Sequence, residues 1–263
     1  MSPPSLDPAY GLAVTWWGHA TATVEIGGIR VVTDPVLVDR LFHLRRYGVT
    51  PTVDATAADL ILLSHLHGDH IHLRSLRRFG QQVPVVAPHG ASRLLRRLGL
   101  EDLRTVAPGD VVDVAGARID VLPATHDDRR SPLSQLRGPA VGFRVETGGR
   151  SFWFPGDTGL RHDMAQVRAV DLALVPVGGW GPTLGPLHMD PDEGAEAVLR
   201  VGARWAVPVH WGTFWPVALS RITPARHTTL FVTPGPRFAE ALHTTAPEVV
   251  PLVLRHGERA VLV

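Results

Sequence analysis

Residues 65–70 read His65-Leu66-His67-Gly68-Asp69-His70, four side chains able to hold metal ions within six positions. Two residues apart on an extended chain, side chains fall on one side, so His65 and His67 would aim their imidazoles at one point. Gly68 lets the backbone turn sharply. Asp69 and His70 would then face a second point nearby. That spacing suits two adjacent cations better than one. The chain contains no Cys, which excludes disulfides, thiol catalysis and thiolate ligands, so any metal must be held by His and carboxylates.

One short segment does not fill two coordination shells. Three further residues follow predicted strands in the same manner: His126, Asp157 and His210. His126 would complete a three-histidine site with His65 and His67. His210 would join Asp69 and His70, and Asp157 could bridge both ions through its two oxygens. Each ion would keep a position open for water, whose pKa falls to roughly 7 on metal binding. The chemistry expected is hydrolysis by a metal-bridging hydroxide on a substrate that is anionic or becomes so.

Such a site needs rigid strands to carry it. Period-two alternation and turn residues predict strands over 12–16, 21–26, 29–33, 60–63, 83–87, 111–114, 118–122, 141–146, 151–154, 172–175, 205–209, 249–254 and 259–263. Helices are predicted near 73–79, over 92–98 and over 237–242. Asp190-Pro191-Asp192-Glu193 is a strong helix start, with a capping Asp, Pro at the first helical position and Glu three residues after the cap; that helix ends at Gly202. Residues 37–56 read as an irregular surface loop. Strands followed by strand–loop–helix units, twice over, predict an α/β (α+β) fold with helices outside and sheets inside, a four-layer αββα sandwich. No linker or repeat divides the chain, so one domain over 1–263 is expected.

The 263 residues carry 26 Lys+Arg, all of them Arg, against 25 Asp+Glu, a net charge of +1. That balance gives no electrostatic case for a nucleic-acid partner. The arginines at 74, 77, 78, 93, 96 and 97 read as solvated helix faces. No apolar run is long enough for a transmembrane helix. The first residues lack the charged and apolar regions of a secretory signal, so a cytoplasmic location is expected.

Several blocks together resemble the metallo-β-lactamase superfamily, and within it the branch of N-acyl-phosphatidylethanolamine-hydrolysing phospholipase D. They are Trp17-Gly18-His19-Ala20-Thr21, Thr33-Asp34-Pro35, residues 64–70, Gly156-Asp157-Thr158-Gly159, His188-Met189-Asp190-Pro191 and Pro208-Val209-His210-Trp211-Gly212-Thr213-Phe214. The resemblance implies the αββα metallo-β-lactamase fold, two divalent ions (zinc first, with Mn, Fe or Ni accepted by the same donors) and phosphodiester hydrolysis of a small or lipid-like substrate. It assigns His65, His67 and His126 to one ion, Asp69, His70 and His210 to the other, and Asp157 to both. It implies that His188 faces substrate, which makes Asp69, Asp157 and His188 the candidate catalytic residues. Asp34 would orient a ligand from behind, and His19 would face the site from a neighbouring loop.

The chain departs from the branch in the loop 127–138 and at His72, where Asp is frequent. Trp180, Trp211, Phe214 and Trp215 would line an apolar pocket or pack the core, 178–186 would form a lid, and Arg129 and Arg130 would bind phosphate or lie in an exposed loop. The alternative activity is that of a lactonase acting on sugar-phosphate lactones. A non-catalytic metal-binding module would be expected to have lost ligands, and a redox role would prefer an acidic residue in place of His67.

Overall fold

Alternate residues of the strand Leu12–Gly18 serve two different cores. Leu12, Val14 and Trp16 enter one hydrophobic cluster and Trp17 another, as the two faces of a strand require. The same split recurs in Val170–Pro176, where Leu172 and Leu174 face one way and Ala173 and Val175 the other. Strands apolar on both faces imply cover on both sides. The computed structural model shows that cover; it describes residues 11–179, 184–217 and 219–263.

Two seven-stranded sheets face each other. The first runs, in spatial order, Glu258–Leu262, Leu12–Gly18, Thr21–Ile26, Ile29–Thr33, Leu60–Leu62, Val85–Pro88 and Leu103–Val106. The second runs Val250–Pro251, Ala203–Val209, Val170–Pro176, Arg150–Phe154, Val141–Thr147, Ala117–Pro123 and Val111–Val114. Between them lies the main core, with Trp16, Val24, Phe143, Phe152, Leu174 and Val207. Helices Leu73–Leu76 and Ser92–Leu95 cover the outer face of the first sheet. Helices Pro191–Val201 and Pro234–Thr245 cover that of the second. This is the expected four-layer αββα sandwich. Among the described residues no helix is long and apolar enough to cross a membrane.

Each sheet has a parallel half. Ile29–Thr33, Leu60–Leu62 and Val85–Pro88 run together, as do Arg150–Phe154, Val170–Pro176 and Ala203–Val209. Parallel strands bring their carboxyl ends to one rim, where open α/β sheets bind ligands. Asp34, the 64–70 segment, Asp157, Gly178 and His210 all follow strands of these two halves. The helix at 191–201 begins with the predicted capping box: Glu193 N donates to Asp190 Oδ1 at 2.8 Å and Asp190 N to Glu193 Oε2 at 3.1 Å. It ends at Gly202 with φ 70°, which sets His188 just ahead of a rigid start.

Residues 37–56 are not the irregular loop expected. Arg40–Leu41 and Leu44–Arg46 form a hairpin that pairs with Phe214–Pro216 as a third small sheet. Arg46 holds it down. Its guanidinium is buried and donates to the carbonyls of Val36 (2.6 Å), Trp17 (2.8 Å) and Val38 (3.0 Å). Strand Leu103–Val106 and the short helices over 219–232 also lie outside the expectation, whereas the predicted strand 249–254 shrinks to Val250–Pro251.

Candidate metal centre

The 65–70 segment leaves Leu60–Leu62 and is fastened at once to Asp34. Ser64 N donates to Asp34 Oδ1 at 2.8 Å and Ser64 Oγ to Asp34 Oδ2 at 2.5 Å, while His70 Nδ1 lies 2.7 Å from the same oxygen. Asp34 is fully buried with φ 31°. It anchors both the start of the loop and one of its histidines, the orienting place expected of it. Gly68 does not have the left-handed φ that a sharp turn would suggest. A Cβ there would stand 2.6 Å from Phe42 Cζ, so the need is for space. Gly156 has φ 62° and Ser64 Cβ would be 2.4 Å from its own Cβ; the loops of the two sheets meet there.

Hydrogen bonds at one ring nitrogen fix where the other points. His65 Nδ1 lies 2.9 Å from Ser64 Oγ, whose proton is committed to Asp34. His126 Nδ1 bonds Leu187 O at 3.1 Å and His210 Nδ1 bonds Gly178 O at 2.9 Å. In each ring the Nδ1–H donates, so Nε2 carries a lone pair into the cluster. His65 Nε2 and His126 Nε2 face His67 Nδ1 at 3.0 and 3.1 Å. One N–H does not serve two acceptors well, whereas donors around a tetrahedral zinc with ~2.0 Å bonds stand about 3.3 Å apart. On the other side, His19, Asp69, His70 and His210 offer ligand atoms within 4.8 Å of one another. Asp157 Oδ2 lies 3.0 Å from His210 Nε2, 3.4 Å from His70 Nε2 and 3.5 Å from His188 Nε2.

Four buried atoms at this junction, His19 Nε2, His70 Nε2, His210 Nε2 and Asp157 Oδ1, form no hydrogen bond among the described residues. Buried polar atoms without partners cost free energy. Here lone pairs and carboxylates converge, the donor set a cation satisfies. The residues fit a pair of divalent ions.

Charge follows the same division. Burial lowers His65 well below the ordinary imidazole range, lowers His126 to about 4 and lowers His67, so the three-histidine side stays neutral. Burial opposes the charged forms of Asp69, Asp157 and His70 too. There His70 with its neighbours holds both carboxylates well below their usual range, and Asp157, Asp34 and Asp69 raise His70.

The structure thus brings His65, His67, Asp69, His70, His126, Asp157, His188 and His210 together around one centre. His19 sits deeper in it than expected, with Nε2 3.3 Å from Asp69 Oδ2. His72 caps helix Leu73–Leu76, its Nδ1 accepting from Ser75 N. Arg130 serves the loop itself: its Nη1 donates to the carbonyls of Leu66, His67 and Ile71 and clamps the segment from behind. Arg129 donates to Pro132 O within the same excursion. Trp211 both stacks on Trp16 in the core and lines a pocket, which Phe214 and Trp215 also line. Trp180 and the central part of the proposed lid, 180–183, lie outside the described residues.

His19 is itself propped from below. Its N donates to Thr213 Oγ1 at 2.6 Å, and its carbonyl accepts from His210 N and Trp16 Nε1, both at 2.9 Å. His256 Nε2 lies 3.1 Å from the same Thr213 Oγ1 and its ring packs on Trp16. Burial and then Arg46 lower His256 to about 4 from 6.5. The unfolded chain therefore takes up this proton first as pH falls, and stability present above pH 6.5 is lost down to about pH 4. The loss is on the order of 3 kcal/mol. Urea midpoints in the presence of chelator should fall less steeply over this range for His256→Asn than for the parent; equal slopes would refute the assignment.

Comparison with known proteins matches residues 29–211 to the β-lactamase superfamily domain. A UPF0173 metal-dependent hydrolase of Thermoplasma acidophilum is 32% identical over 228 residues, covering 85% of this chain and 92% of that protein. The N-acyl-phosphatidylethanolamine-hydrolyzing phospholipase D 1 of Caenorhabditis elegans is 30% identical over 230 residues, covering 78% of this chain and 65% of the relative. Among solved structures, Igni18, a metallo hydrolase from Ignicoccus hospitalis, superposes with TM-score 0.73 at 22% identity over 96% of this chain and 99% of that one.

Proposed function

Because this chain belongs to the metallo-β-lactamase superfamily and is a metal-dependent hydrolase, we propose that it holds two divalent ions, zinc foremost, and hydrolyses phosphodiesters. The observation that carries the proposal is the convergence of His and Asp donor atoms on two adjoining points. His65, His67 and His126 would hold one ion. Asp69, His70 and His210 would hold the other, with His19 beside them and the two oxygens of Asp157 between. When bound, the ions would polarise the scissile ester and supply a nucleophile from water near neutral pH.

The protein's own groups do the rest. Asp34 and Ser64 keep His65 and His70 in the tautomer that offers Nε2, and Leu187 O and Gly178 O do the same for His126 and His210. His188 is held at Nδ1 by Leu184 O at 3.1 Å, with Nε2 toward Asp157. From there it would orient the substrate anion or protonate the leaving oxygen. The name of the C. elegans relative supports a phosphodiester over a lactone. The test is metal analysis of protein purified without added metal, followed by assays with that metal on bis(p-nitrophenyl) phosphate and a lactone panel. Two ions per chain and phosphodiester turnover that is lost on chelation and regained on reloading are expected. A single ion at saturation overturns the dinuclear centre, and turnover of lactones alone overturns the substrate class.

A further inference from the structure

A pocket of about 330 Å³ adjoins the metal centre on one side only. Of the clustered donors, His19 and His210 line it. The remaining walls are mainly apolar: Trp211, Phe214, Trp215, Leu219, Leu230 and Phe231. We propose that this pocket receives a compact apolar arm of the substrate, a single ring or a short alkyl chain attached next to the scissile group. The proposal rests on the hydrolase reading above and adds the class and orientation of what is cleaved.

Three observations argue for it. The pocket is continuous with the centre through His19 and His210, so a group filling it is tethered to whatever lies over the ions. Its walls are preformed: Trp211 stacks on Trp16 at 5.4 Å and donates to Pro208 O, Phe214 lies in the third sheet under the Arg46 guanidinium at 4.7 Å, and Trp215 packs on Phe231 at 5.5 Å. A preformed wall binds apolar groups without an ordering cost. Its volume lies at the lower end of the roughly 300–1,000 Å³ range of small-molecule sites, which suits one ring or a short chain and not a pair of long acyl chains. Arg226 is the one permanently charged side chain among the lining residues, so a cationic arm is disfavoured. His188 groups with His126 and Asp157 and is not among the lining residues. The apolar arm would then lie against His19 and His210, with the departing group toward His188.

The experiment titrates metal-loaded protein with alkylphosphonates from methyl to dodecyl, read by fluorescence of the wall tryptophans Trp211 and Trp215. Each added methylene should tighten binding about fourfold up to butyl, with a plateau reached before dodecyl. Leu230→Trp, which fills the pocket, should abolish the chain-length dependence. Equal binding of methyl and butyl, or tightening that continues through dodecyl, overturns the compact arm. Uncharged n-alkanols titrated into chelated protein separate the two readings. If their chain-length dependence holds while no phosphonate binds loaded protein, the metal reading fails and the pocket stands; if it is absent there too, the pocket proposal falls.

Discussion

Asp157→Ala should lose metal and activity together, with kcat/KM on phosphodiesters down by about three orders of magnitude or more, the scale set by removing a preorganised electrostatic partner in a dry site. The carboxylate is almost wholly buried and its Oδ2 reaches His210, His70 and His188 within 3.5 Å. Its Oδ1 has no hydrogen-bond partner among the described residues. Removing it takes a negative charge from between two proposed dications and leaves His70 with less of the charge that raises it. Metal content by mass spectrometry and the rise in Tm on adding zinc are the readouts that activity does not confound. A ligand that binds only the folded state stabilises by RT ln(1 + [L]/Kd), so the parent should gain several degrees and the variant far less. Asp157→Asn keeps the shape and removes the charge, and should fall with Ala. Two ions retained with undiminished turnover in either variant would remove Asp157 from the centre.

The positions of the 65–70 segment, Asp157 and His210 were legible because each follows a strand that reads as buried. Residues 60–63, 151–154 and 205–209 are short apolar runs, and a fully buried parallel strand reads that way. Once such strands run parallel within each of the two facing sheets, their carboxyl ends lie along a rim, and the residues just beyond them meet. The capping box before 191–201 was legible for a local reason: its two hydrogen bonds lie within four residues.

What stayed hidden depends on contacts made across the chain. Arg40–Leu41 and Leu44–Arg46 are too short and polar to announce themselves, and they exist as strands through pairing with Phe214–Pro216, some 170 residues away. A buried Arg46 satisfied by three backbone carbonyls leaves no charge pattern to detect. Gly68 looked like a turn because glycine is often that; the demand came from Phe42, at the tip of the unforeseen hairpin. Arg130 could be read as a phosphate binder until the carbonyls of Leu66, His67 and Ile71 were seen to converge on it. His19 owes its depth to the left-handed φ of 53° and to Thr213 beneath it. Its neighbours Asp34 and His210 share a positive φ, and strained backbone of this kind clusters at functional sites.

His188→Ala should lower kcat by about 10²- to 10⁴-fold, the range for a positioned acid or base, while metal content stays at the parent value. The difference from Asp157→Ala lies in the geometry. His188 groups with Asp157 and His126 but not with the His65–His67 pair or the His70–His210 pair, and its ring is partly open to solvent where those of His65, His70 and His210 are closed off. It therefore faces what enters the site. If His188 protonates the leaving oxygen, substrates with a good leaving group such as p-nitrophenolate need it least. The variant should then recover most of its rate on p-nitrophenyl esters and little on alkyl esters, a dependence that a structural role would not produce. If it only binds the substrate anion, KM should rise equally for both classes and kcat should hold. Loss of one ion in the variant would instead make His188 a ligand, and with it the division of labour between Asp157, which holds the centre, and His188, which serves the substrate, would fail.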